Sequence, residues 1–241
     1  MSTLDVAIIN CATKTCDIHV HNLTKTFGDS YFHVTVVNPK NCQDLLATKE
    51  ILESFRGSDN PLLILKDSSI CQLSSKSLAK MIQRALKHAH DNHIDLLYLC
   101  SAGDKCDKQT DLLYFDDGTR LRTSDGNKST QALLYTRKAR RLIIKQLVDT
   151  PLSLNRDIPD IIREKVQSGE LKVALFSPNI VHFDLEMAKS KEEYASSNVC
   201  AATQSESSST GMYVWFIILI ILIILVAWGL VQINPRFQGN D

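Results

Sequence analysis

Glycine is scarce in this chain, with nine in 241 residues. No Gly-rich run is present, so the sequence offers no loop of bare backbone amides of the kind that cradles a nucleotide phosphate. No basic region followed by a long apolar stretch opens the chain, which argues against a cleaved secretory leader. An excess of one charge is missing too. Lys and Arg number 27, as do Asp and Glu, so there is no electrostatic case for nucleic acid as the main partner. No Ser/His/Asp or Cys/His set can be assembled into a nucleophilic centre. The seven cysteines are odd in number, and their spacing fits no disulfide scaffold. Free thiols in a reducing compartment are expected, although Cys100 and Cys106 are placed to bridge a loop in an oxidising one.

Charge is absent altogether from residues 212–233. As a helix, these 22 residues span about 33 Å, which matches a bilayer core of about 30 Å. Fourteen residues between Val214 and Val231 are Val, Ile, Leu or Phe. At roughly −0.3 to −0.6 kcal/mol each, their insertion is favoured by several kcal/mol. Tyr213, Trp215 and Trp228 stand near the two ends, where aromatic rings prefer the interface. The segment is read as one transmembrane helix, with a short tail at 234–241. Residues 188–211, rich in Ser and Glu and without apolar periodicity, read as a flexible tether. Residues 1–187 form the folded domain. This layout predicts a single-pass, tail-anchored protein whose partner is the lipid bilayer and whose domain faces the cytosol, where it would meet protein partners. Sequons at Asn22 and Asn127 bear on this orientation, because glycan on either would place the domain in a lumen.

Within the domain, apolar runs of strand length alternate with helical periodicity. Strands are expected at 6–10, 32–38, 61–66, 95–100 and 129–136, and helices at 19–27, 42–55, 74–92, 137–148 and 157–168. The Asp117-Gly118 turn joins a hairpin of 111–115 and 119–123. Residues 173–176 lead into Ser177-Pro178-Asn179. This alternation predicts an α/β fold with a largely parallel sheet flanked by helices.

Several phrases resemble the glycosyltransferase family 25 domain, which includes lipopolysaccharide and collagen galactosyltransferases. They are Ile8-Ile-Asn10-Cys11 with Asp17-Ile18, Leu63-Ile-Leu-Lys66-Asp67-Ser68, Asp95-Leu-Leu-Tyr-Leu, the stretch from Ser129 to Ala139, and Pro178-Asn-Ile-Val. The match runs loosely over residues 5–183. The resemblance implies a nucleotide-sugar-transferase-like fold of the GT-A type. It also implies donor contacts from Asn10, Asp17 and Lys66, and a catalytic, metal-binding role for Asp67 with Mn²⁺ or Mg²⁺. The chain departs from the family where the chemistry lies. The Arg of the first phrase is missing, and a Glu-Asp-Asp run is here Lys66-Asp67-Ser68.

Hard divalent ions need oxygen ligands, usually paired carboxylates. Asp67 beside Lys66 is a poor candidate by itself. Asp116 and Asp117 are adjacent, but a hairpin tip explains them equally well. His88, His90 and His93 fall at a helix end, where solvation and the helix dipole account for them. Cys11, Cys16, His19 and His21 superficially resemble zinc ligands without a standard spacing. Arg137, Lys138, Arg140, Arg141 and Lys145 form a basic helix face, solvated or directed at anionic lipid. Two functions are therefore expected. One is a degenerate transferase-like domain with a structural or scaffold role, such as in a virion membrane. The other is an active membrane-bound glycosyltransferase using a nucleoside diphosphate sugar.

Overall fold

The computed structural model describes residues 4–11, 16–28, 30–102, 109–125, 127–149 and 157–183. In chain order the elements are β1 (Leu4–Ile9), α1 (Cys16–Phe27), β2 (Phe32–Val37), α2 (Asp44–Ser54), β3 (Leu62–Lys66), β4 (Ser69–Ile70) and α3 (Ser75–Asp91). Then come β5 (Leu96–Tyr98), β6 (Asp111–Tyr114), β7 (Arg120–Ser124), β8 (Ala132–Tyr135), α4 (Arg137–Asp149), α5 (Ile158–Gln167), β9 (Val173–Ser177) and β10 (His182–Phe183). The predicted span 212–233, the tether and the tail lie outside the described residues. Among the described residues no helix is long and apolar enough to cross a membrane.

Strands β1, β3, β5, β8 and β9 are buried almost throughout, which is why their sequences read as continuous apolar runs rather than as alternations. Among the described residues, eight strands form one sheet in the order β2-β1-β3-β8-β5-β9-β7-β6. Strand β1 pairs in parallel with β2 and β3, as β5 does with β9. Strand β8 runs against both β3 and β5, and β7 against both β9 and β6. Six strands therefore point one way, and β8 and β7 are reversed. The sheet is mixed and mostly parallel, and the reversal at β8 falls in its middle. Strands β7 and β8 run in the same direction, so the chain crosses back from one edge of the sheet to the other between Ser124 and Ala132.

Helices cover both faces. Val20, Leu23 and Phe27 of α1 join Leu78, Ile82 and Ala85 of α3 over one face, against Val6, Ile8, Leu63 and Leu65. Helices α2, α4 and α5 cover the other through Ile51, Leu52, Ile143, Leu147, Ile158 and Ile162, against Ala7, Ile9, Leu62 and Ile64. Strands β4 and β10 form a separate two-stranded ladder, too short for periodicity to reveal.

Helix α3 shows how local sequence sets an element. Ser74 caps its start by accepting the Ser77 amide, one of the donors that a first turn leaves unpaired. Its end is closed by a Schellman arrangement: the Ile94 amide donates to the Ala89 carbonyl at 2.8 Å and the His93 amide to the His90 carbonyl at 3.4 Å. The residue that must turn left-handed there is His93, at φ 57°, where glycine usually stands.

Two expectations are corrected. Cys11 and Cys42 are joined in a disulfide, with 5.8 Å between their Cα atoms, whereas free thiols were expected. Cys71 and Cys100 are free. Arg140 is not part of a solvated basic face: it is 1% exposed. Its guanidinium donates to the Asn60 carbonyl at 3.2 Å and to the Ser58 carbonyl. Those residues in turn serve Asp5, buried in β1, whose carboxylate accepts from Ser58 Oγ at 2.5 Å and Asn60 Nδ2 at 3.3 Å.

Replacing Arg140 by Met keeps most of its length and leaves the Ser58 and Asn60 carbonyls short of a donor. The variant is expected to lose about 2–3 kcal/mol of stability, read as a lower urea midpoint at unchanged slope. His93→Gly relieves the left-handed strain and is expected to gain about 1 kcal/mol. A fall in its melting temperature would show that the imidazole holds the turn.

Candidate functional site

In an open α/β sheet the chain leaves adjacent strands in opposite directions at one point, and ligands bind outside the carboxyl ends of the strands there. Here that point lies between β1 and β3. From β1 the chain crosses through α1 to β2 on one side, and from β2 through α2 back to β3 on the other. The residues that follow these ends are Asn10-Cys11 and Lys66-Asp67-Ser68. The sequence-predicted donor residues Asn10 and Lys66 and the predicted metal ligand Asp67 are thus brought to one edge.

Lys66 and Asp67 each have a partner within the chain. Lys66 Nζ lies 2.9 Å from Asp44 Oδ1, at the start of α2, and donates to Thr130 Oγ1 at 2.5 Å. Thr130 Oγ1 donates to Asp44 Oδ2 at 2.6 Å. Lysine, threonine and aspartate close a ring that ties α2, β3 and the approach to β8 together. Asp67 Oδ2 accepts the Cys11 amide at 3.1 Å, which joins the ends of β1 and β3 directly. The Cys11–Cys42 disulfide links the same β1 end to the loop before α2. Gln131 adds a third tie: its side-chain amide donates to Ser68 Oγ, and its carbonyl accepts from Ser69 Oγ at 3.1 Å.

Asparagines fasten the neighbouring strand ends. Asn179 Oδ1 accepts from the Ser101 amide at 2.9 Å and from Ser101 Oγ at 2.8 Å. Asn127 Oδ1 accepts from the amides of Ala102 and Ser129, both at 2.8 Å. Asn127 is 1% exposed, so its sequon is closed to glycan in the folded domain. Asn22 lies exposed on α1. Sequence reasoning missed Asp44, Thr130, Asn127 and Asn179, whose roles come from contacts across 25 to 86 positions.

The other predicted residues are not assembled here. Asp17 is exposed in the first turn of α1. Asp116 and Asp117 lie at the β6–β7 tip, where Asp117 Oδ1 accepts the Thr119 amide at 3.1 Å. Asp116 faces Lys80 and Arg84 of α3 at 3.7 and 3.6 Å. Five strand spacings separate β3 from β6, about 24 Å at ~4.8 Å each, so this pair and Asp67 cannot share one ion. Among the described residues no group of three His, Cys, Asp or Glu side chains is placed to hold a metal. Cys11 is in its disulfide and is therefore lost to a zinc set.

Among the described residues this edge presents no activated nucleophile. Cys100 lies two residues past β5 and is 3% exposed. Burial pushes its thiol up to about 11, against smaller opposing contributions from Ser129 and Lys66. A thiol held that high carries almost no thiolate at neutral pH. Peptide mapping after iodoacetamide treatment at pH 7.5 is expected to find Cys100 unmodified in the native chain and modified after urea. Native labelling would mean that the edge opens.

No family model matches the chain, and no curated protein matches it by sequence. Among solved structures it is similar to the 4-diphosphocytidyl-2C-methyl-D-erythritol synthase of Anaerococcus prevotii DSM 20548. Identity is 11%, the match covers 84% of this chain and 99% of that one, and the TM-score is 0.40.

Proposed function

We propose that this chain is a membrane-anchored protein whose α/β domain is a degenerate nucleotide-sugar-transferase-like fold acting as a scaffold. One observation carries this reading: the two charges that would serve a donor at the strand ends are neutralised or bonded within the chain. Lys66 is held by Asp44 at 2.9 Å, and Asp67 accepts the Cys11 amide at 3.1 Å. A nucleoside diphosphate needs counter-charge for its leaving pyrophosphate. Recruiting a divalent ion to Asp67 would set it beside the Lys66 ammonium. Recruiting phosphate to Lys66 would require breaking its pair with Asp44. Anchoring rests on the apolar run 212–233, and its consequence is that the domain meets partners lying at a membrane.

The second reading, a working glycosyltransferase using Mn²⁺ or Mg²⁺, is supported by the position of Asn10 and Asp67 at the point where such folds bind donors. Calorimetry separates the two. The full chain, in lipid nanodiscs, is titrated with UDP-, GDP- and CMP-sugars to millimolar concentration, with and without Mn²⁺. The scaffold reading expects no heat beyond dilution under either condition. Metal-dependent binding that Asp67→Ala weakens tenfold or more would overturn it in favour of the enzyme.

A further inference from the structure

A cavity lies at the opposite edge of the sheet. Leu4 opens β1, Phe32 opens β2, Pro61 precedes β3, Asp95 precedes β5, and Thr136 follows the reversed β8. All these positions fall at the amino-terminal edge of the parallel strands, and all line one cleft of about 760 Å³. That volume is in the range of small-molecule sites, about 300–1,000 Å³. The carboxyl-terminal half of α3 forms its other wall.

The floor is aliphatic, made by Leu4, Ala79, Ile82, Leu86, Ala89 and Ile94, with Phe32 at one end. Two polar groups on the wall, Asp95 and Thr136, are already bonded. Asp95 Oδ2 accepts from Lys138 Nζ at 2.9 Å and from the Lys172 amide at 3.0 Å. Thr136 Oγ1 donates to the Asp95 carbonyl at 2.8 Å and accepts the Ala139 amide. A base or a sugar buried here would leave its own donors and acceptors unpaired against this floor, which disfavours a nucleotide.

The rim is cationic. Lys87, Arg137 and Lys138, with His90 and His93, stand against one lining carboxylate, that of Asp95. Arg137 also faces Asp59 at 2.8 Å and His90 faces Asp91 at 3.3 Å, both near the surface. Lys87 is exposed. His93 reaches the rim through the left-handed turn that ends α3, a strained conformation at the mouth of the cavity.

We propose that this cleft binds a free fatty acid, with its chain along the α3 floor and its carboxylate at the rim. Aliphatic depth and cationic mouth together match that ligand and no neutral one. The proposal is independent of whether a nucleotide sugar binds at the other edge. A membrane beside the domain would supply such ligands.

The test uses the full chain in phosphatidylcholine nanodiscs and a palmitate carrying a photoactivatable diazirine, with adducts mapped by peptide mass spectrometry. Adducts are expected on α3 and on residues 93–95. Laurate should compete about two orders of magnitude better than octanoate, since each buried methylene is worth about fourfold in affinity. Hexadecanol, with the chain but not the charge, should compete at least tenfold worse than palmitate. Gln83→Trp, which crowds the mouth from a half-buried position on α3, and Lys87→Glu, one turn further on at the rim, should each cut cleft labelling at least fivefold. Circular dichroism checks that both variants keep their helix content. The proposal fails if adducts map only to residues 212–233, if hexadecanol competes as well as palmitate, or if neither folded variant reduces cleft labelling.

Discussion

A carboxylate buried at the start of a core strand must be satisfied, and the amino-terminal edge of this sheet is organised around that requirement. Asp5 is 4% exposed within β1, where an unpaired charge would cost several kcal/mol. Ser58 and Asn60 reach it from the loop before β3, and His33 of β2 lies 3.4 Å away. Arg140 then binds the carbonyls of those same two loop residues from α4. One buried acid thus fixes a loop, and the loop fixes a helix. Arg137 and Lys138 belong to the first turn of that helix, so the basic side of the cleft is set by the same chain of contacts. The cleft floor comes from α3 on the other face of the sheet.

The carboxyl-terminal edge is organised on the opposite plan. Polar groups there bond one another across the strand ends, and the β1 and β3 ends are fastened by an amide-carboxylate bond and a disulfide. Such a network rigidifies when its members are satisfied. Its donors and charges are engaged with one another instead of held ready for another group. The amino-terminal edge has the complementary property: its lining is mostly apolar, and its charges sit at the mouth.

Periodicity made most of the fold legible. The predicted helix 74–92 is α3 at 75–91, and the predicted strand 61–66 is β3 at 62–66. Strand direction was not legible, because periodicity carries no sign. Arg140 was misread because it borders the apolar stripe of α4, and its burial is decided by a loop 80 residues earlier. The Cys11–Cys42 pair, 31 positions apart, becomes close only when β1 and the approach to α2 meet. Asp67 follows β3, and its partner there is a backbone amide, which no side-chain pattern encodes. The cleft was invisible for a related reason: its wall is made by the ends of several segments, each of which reads as an ordinary strand or helix terminus.

Lys66 shows how the charge at such an edge can be balanced from within the chain. A surface-proximal pair like Lys66–Asp44, with side chains 26% and 31% exposed, contributes about 1 kcal/mol or less to stability. Stability is therefore a weak account of it. Its larger effect is on charge. With an acid at 66, Asp44 and Asp67 would leave this edge with an excess of negative charge, which a divalent ion relieves. With Lys66 present, the ammonium relieves it instead, and Thr130 fixes the ammonium by bonding both partners. The counter-charge is part of the chain. Backbone pairing between β1 and β3 is indifferent to it, since Ile9 and Lys66 are in register whatever the side chain at 66. Strand pairing and the balance of charge at this edge are therefore separate matters.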